Sequence, residues 1–176
     1  MGTGKHRLDK RKCLATLLYV SKALPDRHAI MKAIYIADKC HLERYGRLIY
    51  ADAYRAMTYG PVPSRALDTV KVASGERPDD PDADNIRAAL KAAPTKTPDH
   101  SVHPLRAPDM RFISPSEQEC LDFAIGKVAD MSFDERTDIT HDAAWHSAGL
   151  NKMMPLESII ETLPNAGDVL DYVHNR

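Results

Sequence analysis

Apolar positions recur at helical spacing along most of this chain, and prolines and glycines mark where each helix must stop. Cys13, Leu14, Leu17, Leu18, Val20 and Leu24 form one stripe. It predicts a helix over residues 8–24 that Pro25 ends, because the proline ring cannot continue one. Asp26 is placed to cap a second helix over 27–45. There Ile30, Met31, Ala33, Ile34, Tyr35, Ile36 and Ala37 cover several sides instead of one, the pattern of a central helix surrounded by others. Gly46 supplies the left-handed residue that commonly closes a helix. Residues 48–57 are β-branched and aromatic without a long period, and predict one or two short strands.

Ala66, Leu67, Val70 and Ala73 define a third helix, closed by Gly75. The run ERPDDPDAD is acidic and broken by prolines, so 76–84 is read as a flexible loop. A short helix over 85–93 and a second flexible loop over 94–104 follow, then a small hairpin over 105–113 turning at Pro108-Asp109. Ser114-Pro115-Ser116-Glu117 is a capping box with proline at the first helical position, where its missing N–H costs nothing. Ser132-Phe133-Asp134-Glu135 repeats the box, so two helices form a tight hairpin. Two more, over 156–163 and 165–174, are parted by Pro164. The expected fold is mainly α: a single compact domain of about seven or eight short helices with a minor β hairpin or small sheet.

Between the short strands and the third helix lies Tyr59-Gly60-Pro61-Val62-Pro63-Ser64. Each proline fixes its own φ and pushes the residue before it out of the helical region. Val62 is therefore expected extended and Gly60 extended or left-handed, with Ser64 capping the third helix. The segment reads as a rigid joint, or as a surface presented to a partner.

At 176 residues and 43% hydrophobic, the chain has enough material for one covered core. The net charge of −1 argues against general attraction to nucleic acid or anionic lipid, yet it hides an asymmetry. Residues 1–48 carry 11 Lys/Arg against 4 Asp/Glu, and residues 101–176 carry 6 against 13. The two ends are expected to attract each other, or to form faces for different partners. Cys13, Cys40 and Cys120 are isolated, which predicts small buried hydrophobes in a reducing compartment. No leader-like or membrane-spanning run appears, and the protein is expected in the cytoplasm.

Chemistry-bearing residues are few. Asp38 and His41 stand three apart on the central helix and share a face, a spacing that suits an acid–base pair, two metal ligands, or a hydrogen bond settling a polar patch near the proline turn. His141-Asp142 is an HD pair of the kind metal-dependent phosphohydrolases use; its partners would come from His41, His146, Asp138 and Asp38, which follow no supporting pattern. His141 and Trp145 are expected to stack on one helix face, with the indole filling a gap in the core. Gly2-Thr3-Gly4-Lys5 lacks the spacing of a phosphate loop. The basic run Lys5, Arg7, Lys10, Arg11 and Lys12 suits an acidic protein surface, the acidic half of this chain, or DNA; without a recognition helix, DNA ranks last.

The runs Ile34-Tyr35-Ile36-Ala37-Asp38-Lys39-Cys40-His41-Leu42-Glu43-Arg44-Tyr45-Gly46 and Ala56-Met57-Thr58-Tyr59-Gly60-Pro61-Val62-Pro63-Ser64 resemble the Panacea domain of SocA-like antitoxins. That family shows L-Y-x-A-D-x-x-H-L-x-x-x-G on a helix, an extended piece, then Y/H-G-P-V-P. A seryl helix start and a His141–Trp145 pair resemble its second half, and the likeness spans about residues 10–149. It implies a protein that performs no reaction and needs no cofactor. Such a protein neutralises a cognate toxin by direct binding, and the SocA-type member also delivers its toxin to the ClpXP protease. The residues that would form the motif or toxin-binding set are Asp38, His41, Tyr59, Gly60, Pro61, Val62, Pro63, His141 and Trp145. A metal-dependent hydrolase and an operon-binding regulator remain the alternatives.

Overall fold

Burial on every side is what the second helix demands, and the rest of the chain is arranged to provide it. The computed structural model describes residues 8–176. Helix α1 (Lys10–Ala23) starts where Asp9 accepts from the Arg11 and Lys12 amides, and α2 (Arg27–Tyr45) where Asp26 accepts from the Ala29 amide. Gly46 ends α2 at φ +71°, and a Cβ there would collide with the Tyr172 ring, so both backbone and space call for glycine. Two apolar clusters meet on α2. Ile30, Ile34 and Ala37 face one shared with α1, while Tyr35 and Leu42 face another shared with the C-terminal helices.

Strands β1 (Tyr54–Met57) and β2 (Gly60–Pro63) form an antiparallel hairpin turned by Thr58 and Tyr59, with Tyr54 opposite Pro63 and Met57 opposite Gly60. The chain passes directly from Pro63 into α3 (Ser64–Ala73). Ser64 does not cap that helix. Asp52, upstream of the hairpin and buried, accepts from the Arg65 and Ala66 amides at 2.8 and 3.0 Å and also from Ala53. The proline segment is thus a joint in a specific sense: it sets α3 at the end of an edge strand, and the carboxylate just before that strand's partner caps the helix.

In the middle of the chain the predicted 85–93 helix is shorter and earlier, as α4 (Ala83–Ala89), and its last residues become β3 (Leu90–Ala92). That strand pairs with β4 (Val102–Pro104), inside the stretch read as loop. Leu90 and Val102 bury side chains in the main core, so long-range packing makes a strand where local composition reads as loop. No hairpin forms over 105–113; Asp109 instead caps a single 3-10 turn, Met110–Phe112.

Both capping boxes are present. They open α5 (Pro115–Ala129) and α6 (Phe133–Thr140). Helix α7 (Ala143–Ala148), strand β5 (Met153–Met154) on the free side of β1, α8 (Leu156–Ile160) and α9 (Ala166–His174) complete the chain. Nine α-helices and two small sheets among the described residues make the fold mainly α.

Part of the charge asymmetry is spent on pairing the two ends of the chain. Glu117 of the first capping box is buried and accepts from Lys12 at 2.6 Å and Arg47 at 2.8 Å, besides the Ser114 amide. Burial alone would raise its pKa, but Lys12, the Ser114 amide and Arg47 together hold it below the usual carboxylate value. Lys39 meets Asp142, Arg44 meets Glu119 and Arg136 meets Asp26, pairing opposite ends of the chain. Lys10 faces Asp82 and Arg11 lies over the Phe112 ring; Lys5, Arg7 and the Gly2–Lys5 stretch lie outside the described residues. All three cysteines are buried and free, with Cys40 and Cys120 in contact across α2 and α5.

Because Asp52 and not Ser64 terminates α3, Asp52→Ala is expected to destabilise the protein by about 2 kcal/mol, leaving buried amides unpaired. Ser64→Ala is expected to fall within about 0.5 kcal/mol of the parent in the same urea titration.

Candidate functional site

The proline hairpin is held to α2 by a lysine. Lys32 lies in the middle of the apolar run Ile30–Ala37 and is 1% exposed, with its ammonium donating to the Pro61 carbonyl at 2.9 Å. Gly60 sits at φ +112°, and a Cβ there would be 2.8 Å from Thr140 Oγ1 and 2.9 Å from Lys32 Nζ. Glycine is required on both counts, because an L side chain would be strained and would collide with the anchor. Burial, with Arg136 nearby, lowers the Lys32 pKa to about 7.

Asp38 and His41 are also fully internal, and they do not bond to each other. Asp38 accepts from the Ile49 amide at 2.8 Å and the Tyr54 hydroxyl at 2.6 Å; burial still raises its pKa to about 7 against those bonds. His41 meets the Arg47 carbonyl through Nδ1 and Ser116 Oγ through Nε2. The pair therefore settles two separate segments: Asp38 fastens the approach to β1, and His41 fastens the α2 exit to the start of α5.

His141 and Trp145 do stack, with ring centroids 3.7 Å apart and planes 13° from parallel. They are not on one helix, however. His141 caps the end of α6, Asp142 caps the start of α7, and the chain breaks between them. The indole is half-buried, so it is not the core plug its composition suggests; its Nε1 donates to the Met57 carbonyl at 2.9 Å. Asp142 accepts from Tyr35 at 2.7 Å, Lys39 at 3.0 Å and the Trp145 amide at 3.1 Å. Among the described residues no three His, Cys, Asp or Glu side chains gather as metal ligands; of the HD-type set, Asp38, His41 and Asp142 are held by protein partners, while His141 Nε2 is buried without one.

What faces outward is the hairpin tip. Tyr59 is 57% exposed and meets the Phe133 ring edge-on at 5.0 Å, while His28 stacks flat on Phe133 at 3.9 Å. Burial, helped by Lys32 and Arg136, lowers the His28 pKa to about 4, so the ring is neutral and its Nδ1 accepts from Arg136. Beside this cluster opens a cavity of about 420 Å³ between α2, the hairpin tip, α3 and the start of α6. Of the sequence-proposed residues, Tyr59 and Val62 line it; Asp38, His41, Gly60, Pro61 and Pro63 are buried. Sequence reasoning missed Lys32, His28 and Phe133. Lys32 alone carried a signal, as the one charge inside a run otherwise apolar on all sides.

The depressed Lys32 pKa has a defined pH consequence. Between about pH 7 and the unfolded value of 10.5 the unfolded chain holds more protons at this site, so stability rises with pH across that window. Below it the amine is charged in both states and the burial cost is complete. The stability of the parent relative to Lys32→Met is therefore expected to increase by a few kcal/mol from pH 7 to pH 10, measured by urea unfolding at each pH.

The order of these parts along the chain is that of a known family. The model for the antitoxin SocA-like Panacea domain matches residues 30–146, from the first turn of α2 to Trp145 and His146. No curated protein and no solved structure matches the chain. A match over this much of the sequence shows that the chain belongs to the SocA-like antitoxin family through its Panacea domain.

Proposed function

We propose that this protein is a cytoplasmic antitoxin that neutralises a cognate toxin protein by binding it directly, and that it performs no reaction itself. One observation carries the reading beyond family membership. The two ionisable groups of the motif on the central helix are occupied by internal partners, Asp38 by Ile49 and Tyr54 and His41 by Arg47 and Ser116, and Asp142 is likewise held by Tyr35 and Lys39. Groups so occupied serve a scaffold; they are not poised to attack or deprotonate a substrate. At the tip of the proline turn the motif presents the exposed Tyr59 ring, and aromatic residues at a rigid turn are what protein interfaces use as anchors.

In this reading the motif holds the platform and the side chains around Tyr59 touch the toxin. Among the described residues no helix is long and apolar enough to cross a membrane, in keeping with a partner met in the cytoplasm. Sequestration alone accounts for neutralisation. Delivery of the bound toxin to ClpXP, which the likeness to SocA implies, adds ClpX as a second partner.

Co-expression with the adjacent open reading frame tests the reading: that frame is expected to be toxic alone and harmless beside this one, and a harmless neighbour would remove the proposal's main support. Neutralisation that persists in a clpX deletion identifies sequestration; its loss identifies delivery. Tyr59→Ala is expected to weaken toxin binding at least about tenfold while leaving stability within about 0.5 kcal/mol, read by titration calorimetry and urea unfolding.

A further inference from the structure

The cavity beside Tyr59 has walls of one kind and donors of another. Met31 from α2, Met57 from β1, Leu67 from α3 and Phe133 from α6 give it apolar sides. Arg27, Lys32 and Lys71 also line it, and no Asp or Glu is among its described lining residues. A cavity of about 420 Å³ is the size of a small-ligand pocket and too small for a helix.

Two of its cations are short of acceptors. Lys32 is 1% exposed, and among the described residues its ammonium, which has three donor positions, meets the Pro61 carbonyl alone. Arg27 gives Nη2 to the Thr95 carbonyl at 3.3 Å, while its Nη1 is buried with no protein partner. His28 offers no relief, since its ring nitrogens are taken by Arg136 and Thr137. Buried donors without acceptors are costly, and an anion accepting from both would recover that cost.

We propose that this cavity receives the toxin's C-terminal residue, an apolar side chain seated among Met31, Met57, Leu67 and Phe133 with its free carboxylate accepting from Lys32 and Arg27. A chain terminus supplies both groups within a single residue, which is what a pocket of this size and lining takes. The source of the carboxylate rests on the antitoxin reading above; the pocket's preference for an apolar acid does not.

The test uses the full chain labelled with ¹³C at the methionine methyls and titrated with N-acetyl-L-phenylalanine or its uncharged amide. The Met31 and Met57 signals are expected to shift saturably with the acid, and at least about tenfold more weakly with the amide. Arg27→Gln and Lys32→Met should each remove that preference, and Arg27→Gln keeps the test decisive if the lysine variant fails to fold. The toxin from the adjacent gene should displace the acid, and a toxin extended by two residues at its C-terminus should not. Equal response to acid and amide, or none to either, overturns the pocket assignment. A toxin that binds without displacing the acid, or binds equally well when extended, overturns its C-terminus as the source and leaves the antitoxin reading standing. A toxin that does not bind at all takes down both, and the missing complex makes that failure recognisable.

Discussion

The structure depends on burying one helix that is not wholly apolar. Helix α2 carries Lys32, Asp38 and His41 into the interior, where an unpaired polar group costs more than a hydrogen bond returns. Each must therefore find a partner in the layer wrapped around the helix. Lys32 takes the Pro61 carbonyl, Asp38 the Ile49 amide and Tyr54 hydroxyl, and His41 the Arg47 carbonyl and Ser116. These bonds point in different directions from one rod, so they fix the hairpin, the strand approach and the start of α5 relative to each other.

The proline hairpin follows from that requirement. An edge strand with prolines at 61 and 63 has few amides to pair, which suits a strand whose outer side faces α2 and α6. Gly60 allows the close approach of Lys32 and Thr140, and Asp52 completes the joint by capping the helix that leaves it. The outcome is a turn with its inner side packed on α2 and α6 and with Thr58 and Tyr59 exposed at the tip. A stiff exposed tip beside an apolar, acid-free cavity loses little entropy on binding, which is the property a sequestering protein needs.

Charge plays a supporting part. The basic N-terminal third and the acidic C-terminal part meet inside the fold, most fully where Glu117 serves both the α5 capping box and the Lys12 and Arg47 ammonium and guanidinium groups. That pairing removes much of the cationic character that might otherwise suggest nucleic acid, and it ties α1 to α5. Arg27, Lys32 and Lys71, which line the cavity, belong to the cations that meet no carboxylate among the described residues. Local charge thus separates the scaffold from the surface proposed to bind.

Helix placement was legible in the sequence because its causes are local. Asp26, Pro25 and Gly46 bound α2, and two capping boxes open α5 and α6 where they were expected, since a cap is a contact within four residues. The Panacea-like motif was equally plain. What only the tertiary structure decided are contacts between distant segments: Asp52 capping α3 in place of Ser64, β3 and β4 forming from a helix end and a loop, and a helix break that lets His141 and Trp145 stack from either side. The candidate site belongs to this second group. Lys32 and His28 share a face of α2, but Tyr59 and Phe133 come from a turn and from α6, and no periodicity links those segments to it; burial and pairing across the chain bring them together, and neither is a property of any one segment.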